Sequence, residues 1–420
     1  MPSVYFETFG CQMNVADSSM LGQALFAKGY YPSQTSADAD LLVVNTCSVR
    51  ERAEVRAKAR IREYISHRKQ ANGTQEIWVI GCMAQRLGEA LKQELPGVDR
   101  VIGAQDIVSF VQDIDGFLPA RTTASTSQAN PLGVFVPIMR GCDNYCTYCI
   151  VPLVRGPESS IAADDLVQSV KQLAASGVKE VTLLGQNVNS YHDATTDFAG
   201  LLEKIQSISG IVRVRFTTSH PKDCTDGLLQ SMARYPKLCK HVHLPVQSGS
   251  NRILDMMHRR YTRESYLGRI EAIRRLMPDA DITTDAMVGF PSESESDFND
   301  TLSLFKEVRF TAAFMFAYSR REGTAAAEMA DDVPPAIKKE RLSKLISLQT
   351  DITKEQYAAM VGKALEVLFV EQQRGGERLW IGQDGGCKRA VLACKENIAG
   401  MILKVRVVRS SGMTLITERI

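Results

Sequence analysis

Short apolar segments alternate with helix-like stretches along most of this 420-residue chain, and this alternation restricts the fold more than any other feature. Over residues 1–119 a unit of about 35 residues recurs, with the strand segments VYFETFGC, DLLVVNTC and EIWVIGC. Continuous apolar strands separated by helices are typical of parallel sheets that helices cover on both faces. We therefore predict a parallel α/β domain for residues 1–119.

The central part of the chain carries six further strand segments, which are GVFVPIMR, KEVTLLGQN, RVRFTTS, KHVHLPVQ, DITTDAMVGF and AAFMFAYS. The small and polar residues of 120–132, which precede them, are typical of a linker. Six strand–helix units are too few to close an eight-stranded barrel. We predict a partial (β/α)6 barrel over residues 133–357, with its site at the carboxyl ends of the strands.

Residues 358–420 have a different pattern, in which short alternating strands are separated by glycine turns. This pattern predicts a small all-β barrel of five strands, a fold that often binds nucleic acid. From Gly362 onward the chain has ten Lys or Arg residues against six Asp or Glu residues, which favours a polyanionic partner. The whole chain is thus predicted to be an α/β protein of three parts.

Three cysteines in the run MRGCDNYCTYCIVP, here called the loop trio, have the spacing C-x3-C-x2-C: Cys142, Cys146 and Cys149. A zinc site would need a fourth thiol or imidazole nearby, and none follows before His192. Three thiolates on one loop instead suit three irons of a four-iron cluster, so that the fourth iron is open. An open iron is what radical S-adenosylmethionine (SAM) chemistry requires, because the amino and carboxylate groups of SAM can bind there.

A second set of cysteines, here called the N-terminal trio, follows the three N-terminal strands: Cys11, Cys47 and Cys82. Groups at the carboxyl ends of parallel strands converge on one crevice. Buried cysteines are common in protein cores, but a packing residue has no reason to recur just past each strand. We therefore predict that these thiols also bind three irons of a cluster.

Strands of the central part end in polar side chains: Gln186 and Asn187, Ser219 and His220, Gln247 and Ser248. Each pair alone is consistent with loop capping. Their recurrence at successive strand ends favours a lined pocket.

The composition and the first residues exclude two broad classes of protein. No segment approaches about 18 uninterrupted apolar residues, and MPSVYFETFGCQMN lacks the pattern of a signal peptide. We therefore expect a cytoplasmic protein with no membrane contact. Its ten cysteines are expected to be metal ligands or buried thiols rather than a disulfide framework.

Nine segments together resemble a known family, the methylthiotransferases of the radical SAM enzymes, over nearly the whole chain. They are FETFGCQMN, VVNTCSVRE, VIGCMAQR, MRGCDNYCTYCIVPLVRGPE, TLLGQNVNSY, HLPVQSGS, MMHRRYT, MVGFPSESESDF and YSRREGTAA. Two of them, LLGQNVNSY and HLPVQSGS, are most similar to the tRNA branch that makes 2-methylthio-N6-dimethylallyladenosine. The chain departs from the family pattern at three positions, where Ile161, Ser292 and Ser294 stand in place of the usual arginine, glycine and threonine.

The resemblance implies two [4Fe–4S] clusters, a SAM-cleaving one on the loop trio and an auxiliary one on the N-terminal trio. One SAM would methylate a sulfur carried on the auxiliary cluster, and a second SAM would generate a 5′-deoxyadenosyl radical. A radical is required because the adenine C2–H bond is strong and non-acidic, so a positioned base would not remove its proton at a useful rate. No catalytic acid or base is therefore assigned.

For SAM, we expect the backbone around Tyr148 to lie near the adenine and polar strand-end groups to meet its other polar atoms. Arg260 in the HRRYT run either approaches a carboxylate or phosphate or forms a surface ion pair. The candidate SAM-binding residues are Tyr148, Gln186, Asn187, Ser219, Gln247 and Arg260.

The partner implied is a tRNA with a prenylated adenosine beside the anticodon, whose base is splayed out of the loop. The C-terminal part resembles a TRAM domain, a small RNA-binding barrel. An electron donor of the flavodoxin or ferredoxin type is also expected, and the chain is expected to be a monomer.

Two alternative functions remain at this point. One is a non-catalytic RNA-binding protein in which the clusters are structural or redox-sensing, although structural clusters normally have all four irons bound by the protein. The other is methylthiolation of a different modified adenosine.

Overall fold

The computed structural model describes residues 1–49, 51–70, 73–115, 125–126, 133–373 and 378–420. They form an N-terminal parallel sheet, a central curved sheet and a C-terminal barrel, so the predicted fold class is confirmed. Of the predicted linker 120–132, Ser125–Thr126 lies within the described residues, as a short strand that pairs with Gly133–Pro137. Within the described ranges, no helix is long and apolar enough to cross a lipid bilayer.

The N-terminal sheet has five parallel strands: β1 (Ser3–Thr8), β2 (Tyr31–Pro32), β3 (Leu41–Thr46), β4 (Glu76–Gly81) and β5 (Arg100–Gly103). Its helices are α1 (Gln12–Ala27), α2 (Glu51–Gln70), α3 (Cys82–Leu87), α4 (Ala90–Glu94) and α5 (Ile107–Asp115). The strand order is β2-β1-β3-β4-β5, with α1 and α5 on one face and the other helices on the opposite face. Because both faces are covered, β3 is buried along its whole length.

The central part follows with nine strands: β6 (Ser125–Thr126), β7 (Gly133–Pro137), β8 (Met139–Arg140), β9 (Ser159–Ser160), β10 (Glu180–Leu184), β11 (Arg213–Phe216), β12 (His241–His243), β13 (Asp281–Val288) and β14 (Ala312–Ala317). Its helices are α6 (Val151–Arg155), α7 (Ala163–Ala175), α8 (Phe198–Gln206), α9 (Asp226–Arg234), α10 (Asn251–Met256), α11 (Arg263–Leu276), α12 (Glu295–Val308) and α13 (Pro335–Ala358).

The six predicted strands of the partial barrel are β7, β10, β11, β12, β13 and β14. They form two parallel groups, β7-β10-β11 and β12-β13-β14, with a bridge between Val214 and Leu238 at the junction. One continuous apolar core lies between both groups and the helices outside them. The partial barrel therefore has its carboxyl strand ends on one side, as the sequence predicted.

The C-terminal part is a closed barrel of β15 (Ala364–Gln372), β16 (Leu379–Asp384), β17 (Arg389–Ala393), β18 (Ile402–Ser411) and β19 (Thr414–Arg419). The strand order around it is β15-β16-β17-β19-β18. Phe369, Trp380 and Leu415 are among the side chains that fill its interior.

This barrel is attached to the amino-terminal ends of the central strands through buried charges. Arg213, the first residue of β11, donates to the carbonyl oxygens of Gln383 at 2.7 Å and Glu366 at 2.9 Å. Asp281, the first residue of β13, is paired with Lys388 of the barrel. The barrel therefore lies at the opposite end of the central strands from their carboxyl ends.

Replacing Asp281 by alanine is expected to lower the free energy of unfolding by roughly 3–5 kcal/mol, because Lys388 would then be a buried charge without its partner. The side chains of Lys388 and Asp281 are only 10% and 5% exposed. Asp226→Ala is the matched control, since that carboxylate is 68% exposed in its pair with Arg269 and its loss should cost about 1 kcal/mol or less. Urea unfolding of the two variants measures the difference, and equal costs would contradict this account of the attachment.

Two of the departures from the family pattern have opposite local consequences. Ser292 has φ = 60°, a left-handed conformation that costs a side-chain-bearing residue about 1–2 kcal/mol. Ser294 is the N-cap of α12 and forms a capping box with Asp297. Ile161, the third departure, packs partly buried against the central core.

We expect Ser292→Gly to stabilise the protein by about 0.5–1 kcal/mol, since relief of the left-handed strain exceeds the extra entropy that glycine loses on folding. Ser294→Ala should destabilise it by about 1 kcal/mol through loss of the cap. Thermal unfolding of both variants is the measurement. Effects of the same sign would contradict the assignment of strain to one serine and capping to the other.

Candidate functional site

The loop trio lies between β8 and α6, and two of its thiols accept hydrogen bonds from side chains. Asn144 Nδ2 is 3.3 Å from Cys142 Sγ, and Arg259 Nη1 is 3.3 Å from Cys146 Sγ. Hydrogen bonds to sulfur help to set the properties of iron–sulfur clusters, so this donor set fits such a cluster.

Burial makes two metal-free thiols of the loop trio poor acids. It raises the pKa of the Cys149 thiol to about 12, with a further contribution from repulsion by Cys146. It also raises the pKa of Cys142. A thiol must lose its proton to bind a metal, so these two need a cationic centre that offsets the burial of their charge.

The backbone of the loop is fixed by contacts with several elements. A Cβ atom on Gly141, where φ is +76°, would lie 1.8 Å from the carbonyl oxygen of Pro157, so a side chain does not fit there. Thr147 N donates to Met257 O at 3.1 Å, and Ala326 N donates to Thr147 O at 2.7 Å. The loop is therefore held in place before anything binds to it.

Backbone strain is concentrated around this loop. Of the seven non-glycine residues with positive φ among the described residues, five lie in the loop or at neighbouring strand and helix ends: Tyr145, Thr218, Gln247, His258 and Arg260. Such conformations are costly and tend to occur at functional sites.

Four polar atoms of the predicted pocket are buried and have no hydrogen-bond partner among the described residues. They are Gln186 Oε1, Asn187 Oδ1, Ser219 Oγ and His220 Nε2. The first two follow β10 and the other two follow β11, whose ends are joined by a hydrogen bond from Val188 N to Thr218 O at 2.9 Å. Buried polar atoms are nearly always satisfied in proteins, so this group indicates a pocket for a polar ligand.

His220 is neutral in this pocket. Burial, with a further contribution from the charge of Arg259, lowers the pKa of its imidazole to about 2. The ring therefore offers a hydrogen bond to a ligand but carries no exchangeable charge near pH 7.

Gln247 and Tyr148 are two further predicted site residues. Gln247, which is 8% exposed, forms a backbone bridge with Ala286 beyond the end of β12. Tyr148 packs against a small apolar cluster that includes Met257 and Phe290. Gln247 thus lies at a strand end like the other polar residues, and Tyr148 lies in the cysteine loop itself.

Arg259 is a functional candidate that the sequence reasoning missed. Its side chain is buried, and besides Cys146 it contacts Tyr148 Oη at 3.4 Å and Pro245 O at 2.9 Å. Arg260, the arginine named from the sequence, is exposed, with its Nε 3.4 Å from His258 Nε2. The HRRYT run indicated an arginine at this position, but nothing in it distinguishes the inward residue from the outward one.

The N-terminal trio comes together at the carboxyl ends of β1, β3 and β4. Cys11 is the N-cap of α1, Cys47 follows β3 and Cys82 is the first residue of α3. A Cβ atom on Gly10 would lie 2.7 Å from Cys47 Cβ. The residue before Cys11 is therefore in close contact with Cys47.

Within the described residues, no three His, Cys, Asp or Glu side chains are close enough to hold a single metal ion. A four-iron cluster does not need that closeness, because it spreads three thiolates over three separate irons, whereas a zinc site gathers its ligands on one.

The two trios are joined by α6. Ile150 and Val154, which follow the loop trio in sequence, pack directly on Cys82 of the N-terminal trio. The segment that follows the loop trio therefore packs directly on the N-terminal trio.

Residues 136–305 match the Radical SAM superfamily, and residues 3–103 match the Uncharacterized protein family UPF0004. The tRNA-2-methylthio-N(6)-dimethylallyladenosine synthases of Geotalea uraniireducens (strain Rf4) and Moorella thermoacetica (strain ATCC 39073 / JCM 9320) are 42% and 41% identical to the chain. Each alignment covers 98% of this chain and 97% of the relative.

Among solved structures, the radical S-adenosylmethionine methyltransferase TsrM from Kitasatospora setae superposes with a TM-score of 0.57 at 13% identity. That superposition covers 78% of this chain and 77% of TsrM, and it supports the fold alone. The radical SAM match means that the chain uses SAM and a [4Fe–4S] cluster. The three thiols of the loop trio fit the cluster, and the unpartnered polar atoms at the ends of β10 and β11 fit SAM. With more than 40% identity to these relatives over nearly its whole length, the chain belongs to the family of tRNA-2-methylthio-N(6)-dimethylallyladenosine synthases.

Proposed function

We propose that this enzyme converts N6-dimethylallyladenosine beside the anticodon of tRNA to its 2-methylthio derivative. Each product consumes two SAM molecules, one for the methyl group and one for the radical. The observation that carries the proposal is the pair of cysteine trios joined by α6, since each offers three thiols where a closed four-iron site would have four.

The loop trio is proposed to ligate the SAM-cleaving cluster. When bound, this cluster supplies the electron that breaks a carbon–sulfur bond of SAM and so yields the 5′-deoxyadenosyl radical. The residues of the chain hold and orient the reactants: Arg259 and Asn144 donate to the ligand sulfurs, while Gln186, Asn187 and Ser219 offer their free polar atoms to SAM. Gln247, at the adjacent strand end, is proposed to complete this set.

The N-terminal trio is proposed to ligate a second [4Fe–4S] cluster. Three thiols leave one iron without a protein ligand, which provides a position for the sulfur that is transferred. Packing of α6 on Cys82 keeps this position close to the SAM site, and a short separation is needed because a reactive radical must meet its target before solvent does.

A tRNA anticodon loop is the proposed substrate, with its adenine splayed into the space between the trios. Tyr145, which precedes Cys146, is 57% exposed and is available for stacking with a base. The C-terminal barrel, at the other end of the central strands, is proposed to bind the tRNA at a distance from the anticodon.

We infer that the enzyme works in the cytoplasm as a monomer. Its electron is proposed to come from a small donor protein of the flavodoxin or ferredoxin type.

Basic side chains of α2 are largely engaged in ion pairs within the N-terminal domain, such as Lys58 with Glu94 and Arg68 with Asp99. Helix α2 is therefore not the main proposed RNA contact.

The test is an anaerobic reaction of the cluster-loaded protein with SAM, dithionite and tRNA that carries N6-dimethylallyladenosine. Mass analysis of nucleosides should find the 2-methylthio product together with 5′-deoxyadenosine. The same tRNA with unmodified adenosine, or with threonylcarbamoyl-adenosine, is the matched control and should yield no product.

Two outcomes would overturn the proposal. Formation of no 5′-deoxyadenosine by protein that holds both clusters would favour a non-catalytic RNA-binding protein. Methylthiolation of the threonylcarbamoyl-adenosine in preference to the prenylated base would assign the chain a different substrate.

A further inference from the structure

Arg155 is a buried charge that crosses from the central part of the chain into the N-terminal domain. It is the last residue of α6, and its side chain is 3% exposed. Its Nη1 donates to Asp17 Oδ2 at 2.6 Å, and its Nη2 donates to Asn14 Oδ1 at 2.7 Å. Both acceptors lie on α1, the helix that Cys11 caps.

Arg155 lies close to two cysteines of the N-terminal trio. Asn14 Oδ1, which Arg155 binds, is 3.6 Å from Cys11 Sγ. Val154, the residue before Arg155, packs with Cys82 in one small apolar cluster. Arg155 thus contacts the surroundings of this trio from a helix that begins just after the loop trio.

Among the described residues, the ion pairs around Arg155 join two cations to one anion. Asp17, which is 1% exposed, is paired with both Arg155 at 2.6 Å and Arg140 at 2.8 Å. Burial alone would raise the pKa of Asp17, but the two arginines lower it overall, so the carboxylate is ionised. Two cations against one anion leave an excess of positive charge near the cysteines, shared between buried Arg155 and Arg140, which is 21% exposed, and anionic thiolates there would offset it.

We propose that Arg155 is a positioning residue of the N-terminal cysteine site, and that its charge raises the reduction potential of the iron–sulfur group held there. This inference rests on the proposed second cluster. A set of three thiolates with its cluster is the anion that the excess charge fits. A nearby cation favours the more negative, reduced form, so its removal makes reduction harder.

The test uses the full-length chain with Cys142, Cys146 and Cys149 changed to alanine, so that the N-terminal trio holds the only proposed cluster. Potentiometric titration followed by electron paramagnetic resonance gives the midpoint potential in this background. Arg155→Gln is expected to shift the potential downward. Arg155→Lys, which keeps the charge but loses the planar pair of donors, is expected to shift it less.

Arg213→Gln is the matched control, because Arg213 is also a buried arginine but lies at the barrel attachment, far from both trios in the fold. It should reduce stability without any change in potential. A merely structural Arg155 would behave in the same way, so an unchanged potential in Arg155→Gln overturns the inference.

If Arg155→Gln does not bind iron, Arg155→Lys decides in its place: a lowered potential supports the inference and an unchanged one overturns it. A different result would show that the proposed second cluster itself is wrong. In that case the triple alanine background with native Arg155 would bind no cluster at all.

Discussion

The variant in which Cys142, Cys146 and Cys149 are all alanine is expected to form no 5′-deoxyadenosine from SAM and no methylthiolated tRNA. The loss should be complete rather than partial, because without the loop trio nothing holds the iron that SAM binds. Chromatographic assay of 5′-deoxyadenosine under anaerobic reduction is the measurement.

The fold of this variant should persist. Burial raises the pKa of Cys142 and Cys149, so these two metal-free thiols are neutral and their replacement by alanine removes no charge. The control is a variant with Cys224, Cys239 and Cys394 changed to alanine, all outside the two trios, which should still cleave SAM. Continued 5′-deoxyadenosine formation by the loop-trio variant would refute the assignment of this site.

The second large effect is expected when Cys11, Cys47 and Cys82 are changed to alanine. This variant should still cleave SAM, since the loop trio and the unpartnered polar atoms after β10 and β11 are intact. It should form no methylthiolated tRNA, because the position for the transferred sulfur is lost. Parallel assays of 5′-deoxyadenosine and of tRNA nucleosides measure this separation.

Two results would contradict the division of labour between the trios. Methylthiolated product from the N-terminal variant would mean that sulfur transfer does not need these cysteines. Loss of SAM cleavage would mean that they support the radical site itself. In the second case the packing of α6 on Cys82 would be the first contact to examine, because it links the two sites.

Much of the fold follows from short-range patterns. Buried parallel strands gave continuous apolar runs, as in LLVVNT of β3, and the six central strands lie within or close to their predicted segments. Strand ends were less predictable. The RVRFTTS segment leaves the sheet after Phe216, because Thr218 adopts φ = 69° to turn the chain toward the pocket.

The cysteines and strand-end polar residues could be proposed as site residues from the sequence, because their spacing and recurrence are local patterns. Arg155 and Arg259 could not, since they are singled out by contacts with residues far away in sequence. Arg155 meets Asp17 across 138 positions, and Arg259 meets Cys146 across 113. The attachment of the barrel by Asp281 and Lys388 has the same character, as no local pattern indicates which buried charges will pair.

The most direct test of the two-site account is the iron and acid-labile sulfide content of anaerobically purified protein. Wild type should contain about eight irons, and either triple alanine variant about four, because each trio is expected to hold one four-iron cluster independently. The variant that lacks both trios should bind almost none. Loss of all iron from one triple variant, or retention of the wild-type content by either, would contradict the claim that each trio holds its own cluster.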